Sequence, residues 1–479
     1  MTISDDTPPE DAPEASGSDD AGDQAESPDP DAERSDARTD GSTATADSDE
    51  QAATQTETTT GWQSAWPVQY ARDHTVHLAV VLLFACYPGL YHLTTTSQFG
   101  LVFESFLPEV QTMTPILYFG LFAMSFDFIS GYTGYLSFGH AVFYGTGAYL
   151  VILIANGKIP LLAAGTPFMV TLVVAAILAA VIAVAIGLVS FRLSGVYFAM
   201  ITLGFAQVFY VFIRGWEWVA TTPRDGPAVS LDTHPEGFRI GIPYVDGASY
   251  AIGELYGSGL SGFLGMFDLS TTVMSFYMVG LVVLVCYLMM QRIIHSPFGR
   301  VMIAIRENEE RARAVGYNTF YYKLSAFAIS GAFAGVAGAL FAGYRRSVTP
   351  ENTFYFLTTG DALLSSLIGG LGTLAGPLYG RLFEEGLAEF LSKGSEGGGL
   401  LPLLQEALSE SILGTNILGL TVEGMIDAFI NGHASLYVGI VFVLFVLFVP
   451  NGLLGTLRDR LGGHIAKVVP DRIFGGDRP

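Results

Sequence analysis

An all-α polytopic membrane protein is predicted by three features of this 479-residue sequence. Half of its residues are apolar and only 14% are charged. Apolar runs of roughly 20 residues recur along it, each long enough to cross a bilayer core of about 30 Å as a helix. The charged residues collect between those runs. About eight transmembrane helices plus one re-entrant or broken segment account for the pattern.

The chain starts with a segment of a different kind. Residues 1–60 hold 18 Asp and Glu against 2 Arg, a net charge of −16, while the whole chain carries −22. They are rich in Ser, Thr, Pro and Ala and show no apolar periodicity, so residues 1–70 read as an acidic, disordered tail. This start has no basic, then apolar, stretch of a secretory signal. An acidic tail in a chain with four lysines fits a salt-rich, halophile-like cytoplasm. Residues 71–455 form the membrane domain, and 456–479 form a short basic tail.

Candidate helices follow in order at 76–95, 112–129, 139–156, 168–190, 195–213, 272–292, 324–344 and 434–452. The segment 296–323, between the sixth and seventh, is charged and amphipathic. Arg292, Arg300, Arg306, Arg311, Arg313 and Lys323 place it in the cytoplasm by the positive-inside rule. Val301, Ile305, Asn308, Ala312 and Val315 share one face at helical spacing. Glu307 with Arg311, and Glu309 with Arg313, are i,i+4 pairs in the favourable order. Ser296 and Pro297 suit an N-cap and first turn, and Gly316 a helix stop.

Counting back through six spans puts the N-terminus inside, and 214–271 becomes an extracytoplasmic loop. The basic C-terminal tail also belongs inside, which requires 361–390 to enter the membrane and return on the same side. The run GGLGTLAGP, Gly369–Pro377, supplies the helix break that such a hairpin needs.

A second Gly-interrupted run, Gly131–Leu150, lies in the other half and gives the chain inverted-repeat character. Broken helices in corresponding halves point to a transport path. Asp127, Gly131, Gly134, Ser137, Gly139, His140, Gly369, Gly370 and Gly372 are the path candidates. Each glycine also has a plainer reading as a site of close helix packing, as do Gly331 and Gly335 in the seventh span. Asp127 is expected to pair with a neighbouring hydroxyl or with His140. His140 has no companion ligands at metal spacing, so no metal or cofactor is expected. Cys86 and Cys286 sit in apolar runs and read as buried, inert thiols.

The sequence carries no phosphate-binding loop of the G-x-x-x-x-G-K-[ST] type and no catalytic cluster, so neither ATP hydrolysis nor enzymatic chemistry is expected of it. A transport domain without its own engine, but with a structured cytoplasmic element, fits a permease driven by a separate ATPase. A self-sufficient secondary transporter is the competing class.

Six blocks carry a family resemblance: GYTGYLSFGHAVFYGTGAYL (131–150), SGVYFAMITLGFAQ (194–207), SPFGRVMIAIRENEERARAVGYN (296–318), YKLSAFAISGAFAGVAGAL (322–340), LIGGLGTLAGPLYG (367–380) and FVPNGLLG (448–455). In this order the chain resembles the M-type permease subunit of branched-chain amino-acid ABC importers. The resemblance implies a plasma-membrane protein that imports branched-chain or other hydrophobic amino acids. It implies as partners a second homologous permease, two ATP-binding subunits and an extracytoplasmic solute-binding protein, within lipid and without nucleic acid. It also implies that the ATPase-coupling loop includes Ser296, Pro297, Phe298, Gly299, Arg300, Ile305, Arg306, Glu307, Asn308, Glu309 and Arg311.

The chain departs from the family pattern at Asp127, where Asn is usual, and at Tyr135, often Gln. The run TTPRDGP at 221–227 replaces a Gly-rich one, and an acidic insertion covers about 384–433. Such permeases also serve urea, short amides and other small solutes, so the substrate stays open at this point.

The orientation can be tested directly. With Cys86 and Cys286 replaced, a single cysteine at Ser395 is expected to react with an impermeant maleimide added outside intact cells. Labelling only after permeabilisation would make 361–390 a true crossing.

Overall fold

The computed structural model describes residues 75–95, 107–162, 166–229, 239–241, 249–251, 260–263, 267–269, 271–392, 416–417, 420–421, 434–449, 452–453 and 456. The chain divides between Gln69 and Tyr70 into two units, and all described residues belong to the second. The acidic tail, most of the 391–433 segment and the basic C-terminal tail lie outside the described residues.

The membrane helices follow the apolar runs. They are α1 (Thr75–Thr95), α2 (Val110–Thr133), α3 (His140–Ala155), α4 (Phe168–Ser190), α5 (Val196–Gly215) and α6 (Thr271–Ile294). Two short helices, α7 (Pro297–Glu307) and α8 (Glu309–Ala314), lead into the long α9 (Thr319–Arg345). A single turn, α10 (Pro350–Thr353), precedes α11 (Phe356–Gly369) and α12 (Gly376–Ser392), and α13 (Ala434–Phe448) follows. Five of these, α2, α4, α5, α6 and α9, are long and apolar enough to cross a membrane. The described strands are short antiparallel hairpins confined to the loops, pairing 239–241 with 249–251, 260–263 with 267–269 and 416–417 with 420–421.

Helix α2 forms the axis of the bundle. Its side chains are buried from Ile116 to Gly131 on every side, so it carries no amphipathic stripe. It packs against α9, α12, α6 and α11. By contrast, α4 exposes Val173, Ile177 and Val181, and α5 exposes Met200, Val208 and Val211. Apolar side chains presented outward on a helix of this length suit a hydrocarbon solvent.

The long α9 is held against α3 and α4 by small residues. A Cβ at Gly147 of α3 would overlap the carbonyl oxygen of Gly335, and one at Gly338 would overlap that of Tyr144. On its other side, a Cβ at Gly335 would lie 2.5 Å from the Ala179 Cβ, and one at Gly331 would lie 2.7 Å from that of Ala183. Backbones can approach this closely only where side chains are absent, which is the packing mode that lipid-embedded helices favour. The packing reading therefore holds for Gly331 and Gly335, and Gly147 packs in the same way.

Helices α11 and α12 form the hairpin expected at 361–390. At 14 and 17 residues, they span about 21 and 25 Å at 1.5 Å per residue. Contacts fix their direction. The backbone N–H of Glu109, just before α2, donates to Glu389 Oε1 at 3.1 Å near the end of α12. Glu351, just before α11, accepts from Tyr210 Oη at 3.1 Å near the end of α5. The tip of the hairpin, Gly369–Gly376, reaches the opposite face, where it meets α7. A Cβ at Gly452, just beyond α13, would sit 2.5 Å from Gly370 Cα, so α13 ends at that same face. We call the face that carries α7, α8 and the hairpin tip the basic face.

Four local expectations need correction. The segment 296–323 holds two short helices and the first turn of α9, because Asn308 adopts an extended backbone and caps α8 by accepting the N–H of Arg311 at 2.8 Å. The apolar face is therefore shorter than its spacing indicates. Val301, Ile305 and Ala312 are buried together against Tyr322, while Val315 is exposed. Of the two i,i+4 pairs, Glu309–Arg313 forms, and no ion pair joins Glu307 to Arg311. Gly316 does end this segment, with a φ of 101°. Of the two thiols, Cys286 is buried and Cys86 is exposed, although α1 packs Phe84 and Tyr87 on Phe276 of α6.

The α3–α9 contact should tolerate no side-chain growth. Replacing Gly147 by Val is expected to lower unfolding stability by roughly 1–3 kcal/mol, the usual scale for overpacking. Thermal unfolding in detergent would check this, and an unchanged midpoint would show that the helices can separate freely there.

Candidate functional site: two broken segments under a polar clamp

The first broken segment runs from Gly134 to Gly139, between α2 and α3. Gly134 ends α2 with a φ of 78°, a backbone conformation that side chains disfavour. Five residues of irregular backbone follow at the edge of the bundle, and their polar groups need partners. Hydroxyls supply several of them. Phe138 N–H donates to Thr202 Oγ1 at 3.2 Å, and Gly139 N–H to Ser137 Oγ at 3.3 Å. Ala141 N–H donates to Thr359 Oγ1 at 2.8 Å. Ser130 Oγ donates to the carbonyl of Tyr135 at 3.3 Å. The free N–H groups at the start of α3 are thus met by side chains from its own turn and from α5 and α11.

The second broken segment is the hairpin tip. It reaches the first through Asp127, whose Oδ1 accepts the backbone N–H of Gly372 at 2.8 Å. This corrects the expected partner, since Asp127 bonds neither a hydroxyl nor His140. Gly131 makes the approach possible, because a Cβ there would overlap Asp127 Oδ1 and stand 2.7 Å from Gly372 N. The guanidinium of Arg306, on α7, donates to the carbonyl of Gly131. It also flanks the tip, 2.9 Å from where a Gly372 Cβ would be. Asp127, Gly131, Gly372 and Arg306 thus form one knot. The sequence placed the first three on the path and the fourth in the cytoplasmic loop.

His140 is a core residue. Its Nε2 lies 2.6 Å from Ser330 Oγ, and its ring packs edge-on against Phe126, Phe143 and Phe327. No group of three or more metal-ligating side chains exists among the described residues.

A second polar cluster lies beside the first. Glu309, opening α8, turns its carboxylate inward. It accepts from Tyr135 Oη at 2.6 Å, Lys323 Nζ at 2.7 Å and Thr319 Oγ1 at 2.9 Å, and it pairs with Arg313. Lys323 also donates to Tyr135 Oη at 2.9 Å and lies 4.7 Å from the centre of that ring. The Lys323 side chain is only 4% exposed. Burial pushes the Glu309 carboxyl up, but the hydrogen bonds from Lys323, Tyr135 and Thr319 and the Lys323 charge outweigh it and hold the group at about 2. Sequence reasoning treated Lys323 only as a cytoplasmic charge and left Thr319 and Thr202 unremarked. A lysine four residues into an apolar helix was the available signal for the first.

The remaining loop residues divide by direction. Ser296 does not cap α7 with its side chain, and its Oγ donates instead to the carbonyl of Ile293 at 2.6 Å. Gly299 lies tight against Ile294, and Met302 and Ile305 are buried. Arg300, Glu307, Glu310 and Arg311 are exposed, beside exposed Ile303, Val315 and Tyr317.

A multi-pass helical bundle, with two helix breaks meeting at one face beneath an amphipathic segment, is the architecture of a membrane transport protein. The family described as branched-chain amino acid transport system / permease component matches residues 110–390, and the chain belongs to it. That match takes in α2 through α12, including both breaks and the segment between α6 and α9. The high-affinity branched-chain amino acid transport system permease protein LivM of Escherichia coli (strain K12) is 30% identical over 267 residues, 55% of this chain and 59% of that protein. LivM of Salmonella typhimurium aligns to the same extent, at 30% identity. The probable branched-chain amino acid transport permease protein LivH of Methanocaldococcus jannaschii is 31% identical over 126 residues, 25% of this chain and 35% of that protein. The chain thus spans about three-fifths of the length of the first two relatives. No solved structure matches it.

The Glu309 cluster has a pH signature. A carboxyl held below its ordinary value contributes stability above about pH 4 and loses it as pH falls towards 2. Glu309→Gln is expected to destabilise the protein by about 3 kcal/mol at neutral pH, because Lys323 stays buried without its counter-charge. The gap between variant and parent should close as pH drops from 4 to 2, followed by thermal unfolding in detergent. A gap that persisted unchanged through that range would assign the loss to packing.

Proposed function

We propose that this chain is the membrane-spanning permease subunit of an ABC importer that moves branched-chain or other hydrophobic amino acids inward. Separate ATPase subunits supply the driving force, and a second, homologous permease completes the path. The family membership and the names of the relatives support the substrate class. The observation that carries the mechanism is the polar clamp. The segment 296–318 grips the first broken helix at two points, Arg306 on Gly131 and Glu309 on Tyr135.

In this reading the basic face is cytoplasmic, in keeping with its arginines. The outward side of α7 and α8, with Arg300, Ile303, Glu307 and Arg311, receives the ATPase. The inward side, with buried Ile305 and half-buried Glu309, together with the guanidinium that exposed Arg306 extends to Gly131, carries its motion to the breaks. Closure of the ATPases displaces α7 and α8, and the broken segments follow, which switches access to the path from one side of the membrane to the other. Both termini are cytoplasmic, and a solute-binding protein delivers substrate to the opposite face. There, Arg214 and Glu351, 3.7 Å apart, join the end of α5 to the turn before α11.

The test separates the two sides of the segment. In the assembly reconstituted from this chain with ATPase, second-permease and binding-protein subunits encoded beside it, replacing Glu307 and Arg311 by Ala is expected to weaken ATPase association. The unfolding temperature should stay unchanged, because both groups are exposed and unpaired with the bundle. Uptake should fall in parallel with association. Full, substrate-stimulated ATP hydrolysis in that double variant would remove this face as the docking site.

A further inference from the structure

The knot around Asp127 contains an unsatisfied group. Asp127 is fully buried, its Oδ1 is taken by Gly372 N–H, and its Oδ2 has no hydrogen-bond partner. A carboxylate at membrane depth with a single neutral donor is costly, and in such a bundle a cation normally answers it. Arg306 is the cation whose charge acts on it. Yet Arg306 spends its guanidinium on the neutral carbonyl of Gly131, one helical turn along α2 from Asp127. That leaves a buried acid short of a donor beside a base committed to a weaker acceptor. A charge-assisted pair would be the stronger bond.

The two halves of the knot compete for one carboxylate. While Asp127 holds Gly372, the hairpin tip is tied to α2 and the breaks are shut against each other. Gly131 and Gly372 have no side chains to hold the guanidinium apart from the carboxylate, since the space a Cβ would take at each is already filled by this group of atoms. Arg306 is borne on α7, the element that lies against water and can be moved from outside the bundle.

We propose that Arg306 and Asp127 form a two-position latch at the basic end of the path. In the position seen here, Arg306 rests on the Gly131 carbonyl and Asp127 secures the Gly372 turn. In the other, the guanidinium has moved to the Asp127 carboxylate, the Gly372 N–H is released and the hairpin tip parts from α2. Arg306 is a positioning residue, because it touches the gate and not the solute. The proposal rests on the permease reading only for what drives α7. The latch itself is a property of the bundle.

The test uses the full chain in membranes, with Cys86 and Cys286 replaced and a single reporter cysteine at Leu374, which is 8% exposed on the hairpin tip and so reacts only when the tip parts from the bundle. The rate of labelling by a water-soluble maleimide reads the fraction of time the tip is open. Arg306→Ala is expected to slow labelling about threefold or more, because nothing then competes for Asp127. Arg306→Lys should recover part of the rate. In an Asp127→Asn background, where the amide oxygen still holds Gly372 but the charge is gone, Arg306→Ala should have no further effect. Equal or faster labelling of Arg306→Ala in the parent background would overturn the latch and make Arg306 a simple clamp.

A second arm uses the reconstituted assembly. Arg306→Ala should raise the ATP spent per solute imported, whereas loss of structure alone lowers hydrolysis and uptake together and leaves that ratio unchanged. If the parent assembly shows no ATP-dependent uptake, the permease reading fails, and the labelling arm still decides the latch.

Discussion

Irregular backbone at membrane depth must find a partner for each of its polar groups, and this requirement organises the molecule. Where the bundle shuts water out, each break in a helix has to be roofed by side chains. At the first break the partners are Ser137, Thr202 and Thr359, from the broken segment itself, α5 and α11. At the second they include Asp127 from α2. The breaks can exist only while those helices stay in place. The same bonds that make them tolerable also tie the two halves of the bundle together at one face.

The helices that supply these partners are themselves placed by the absence of side chains. In lipid, apolar surface is no reason for one helix to prefer another, so close backbone approach and polar contacts do the sorting. Gly147 against Gly335, and Gly338 against Tyr144, bring α3 and α9 into contact along much of their length. That contact carries Ser330 to His140, and it presents Lys323 at the end where Glu309 arrives. Packing by small residues fixes the distances, and the polar clusters then use them.

What the sequence made legible follows from how far each signal reaches. The apolar runs mark the helices because length and hydropathy are local properties, and α4 matches its expected range, 168–190. The hairpin at 361–390 was also legible, from one Gly-rich run and a charge argument about the tail. The break at Asn308 was written in the sequence, as an Asn followed by two glutamates, an ordinary helix start. The continuous apolar spacing across it concealed that start. The clamps were not legible. Asp127 and Gly372 are 245 residues apart, and Tyr135 and Glu309 are 174 apart. Nothing in either segment names its partner. The sequence could say that a buried acid needs a donor, but only the fold decides that a backbone amide, not His140, supplies it.

The division of the segment 296–318 into two helices has a mechanical consequence. A single straight helix would meet the bundle along one line and could roll about it. Here the bend at Asn308 sends Arg306 and Glu309, three residues apart, to separate anchor points on either side of the end of α2, Gly131 in its last turn and Tyr135 in the break. Two anchors resist rolling, so a push on the outer side of α7 and α8 displaces the broken segment as well as turning them. Beyond the break, α3 is wedged against α9 and cannot slide without overlapping backbone atoms. Displacement therefore concentrates between Gly134 and Gly139, where the backbone has no helical hydrogen bonds to lose and hydroxyls can exchange one partner for another at small cost. The irregular stretch is the compliant element because the clamp on one side and the glycine packing on the other are both stiff.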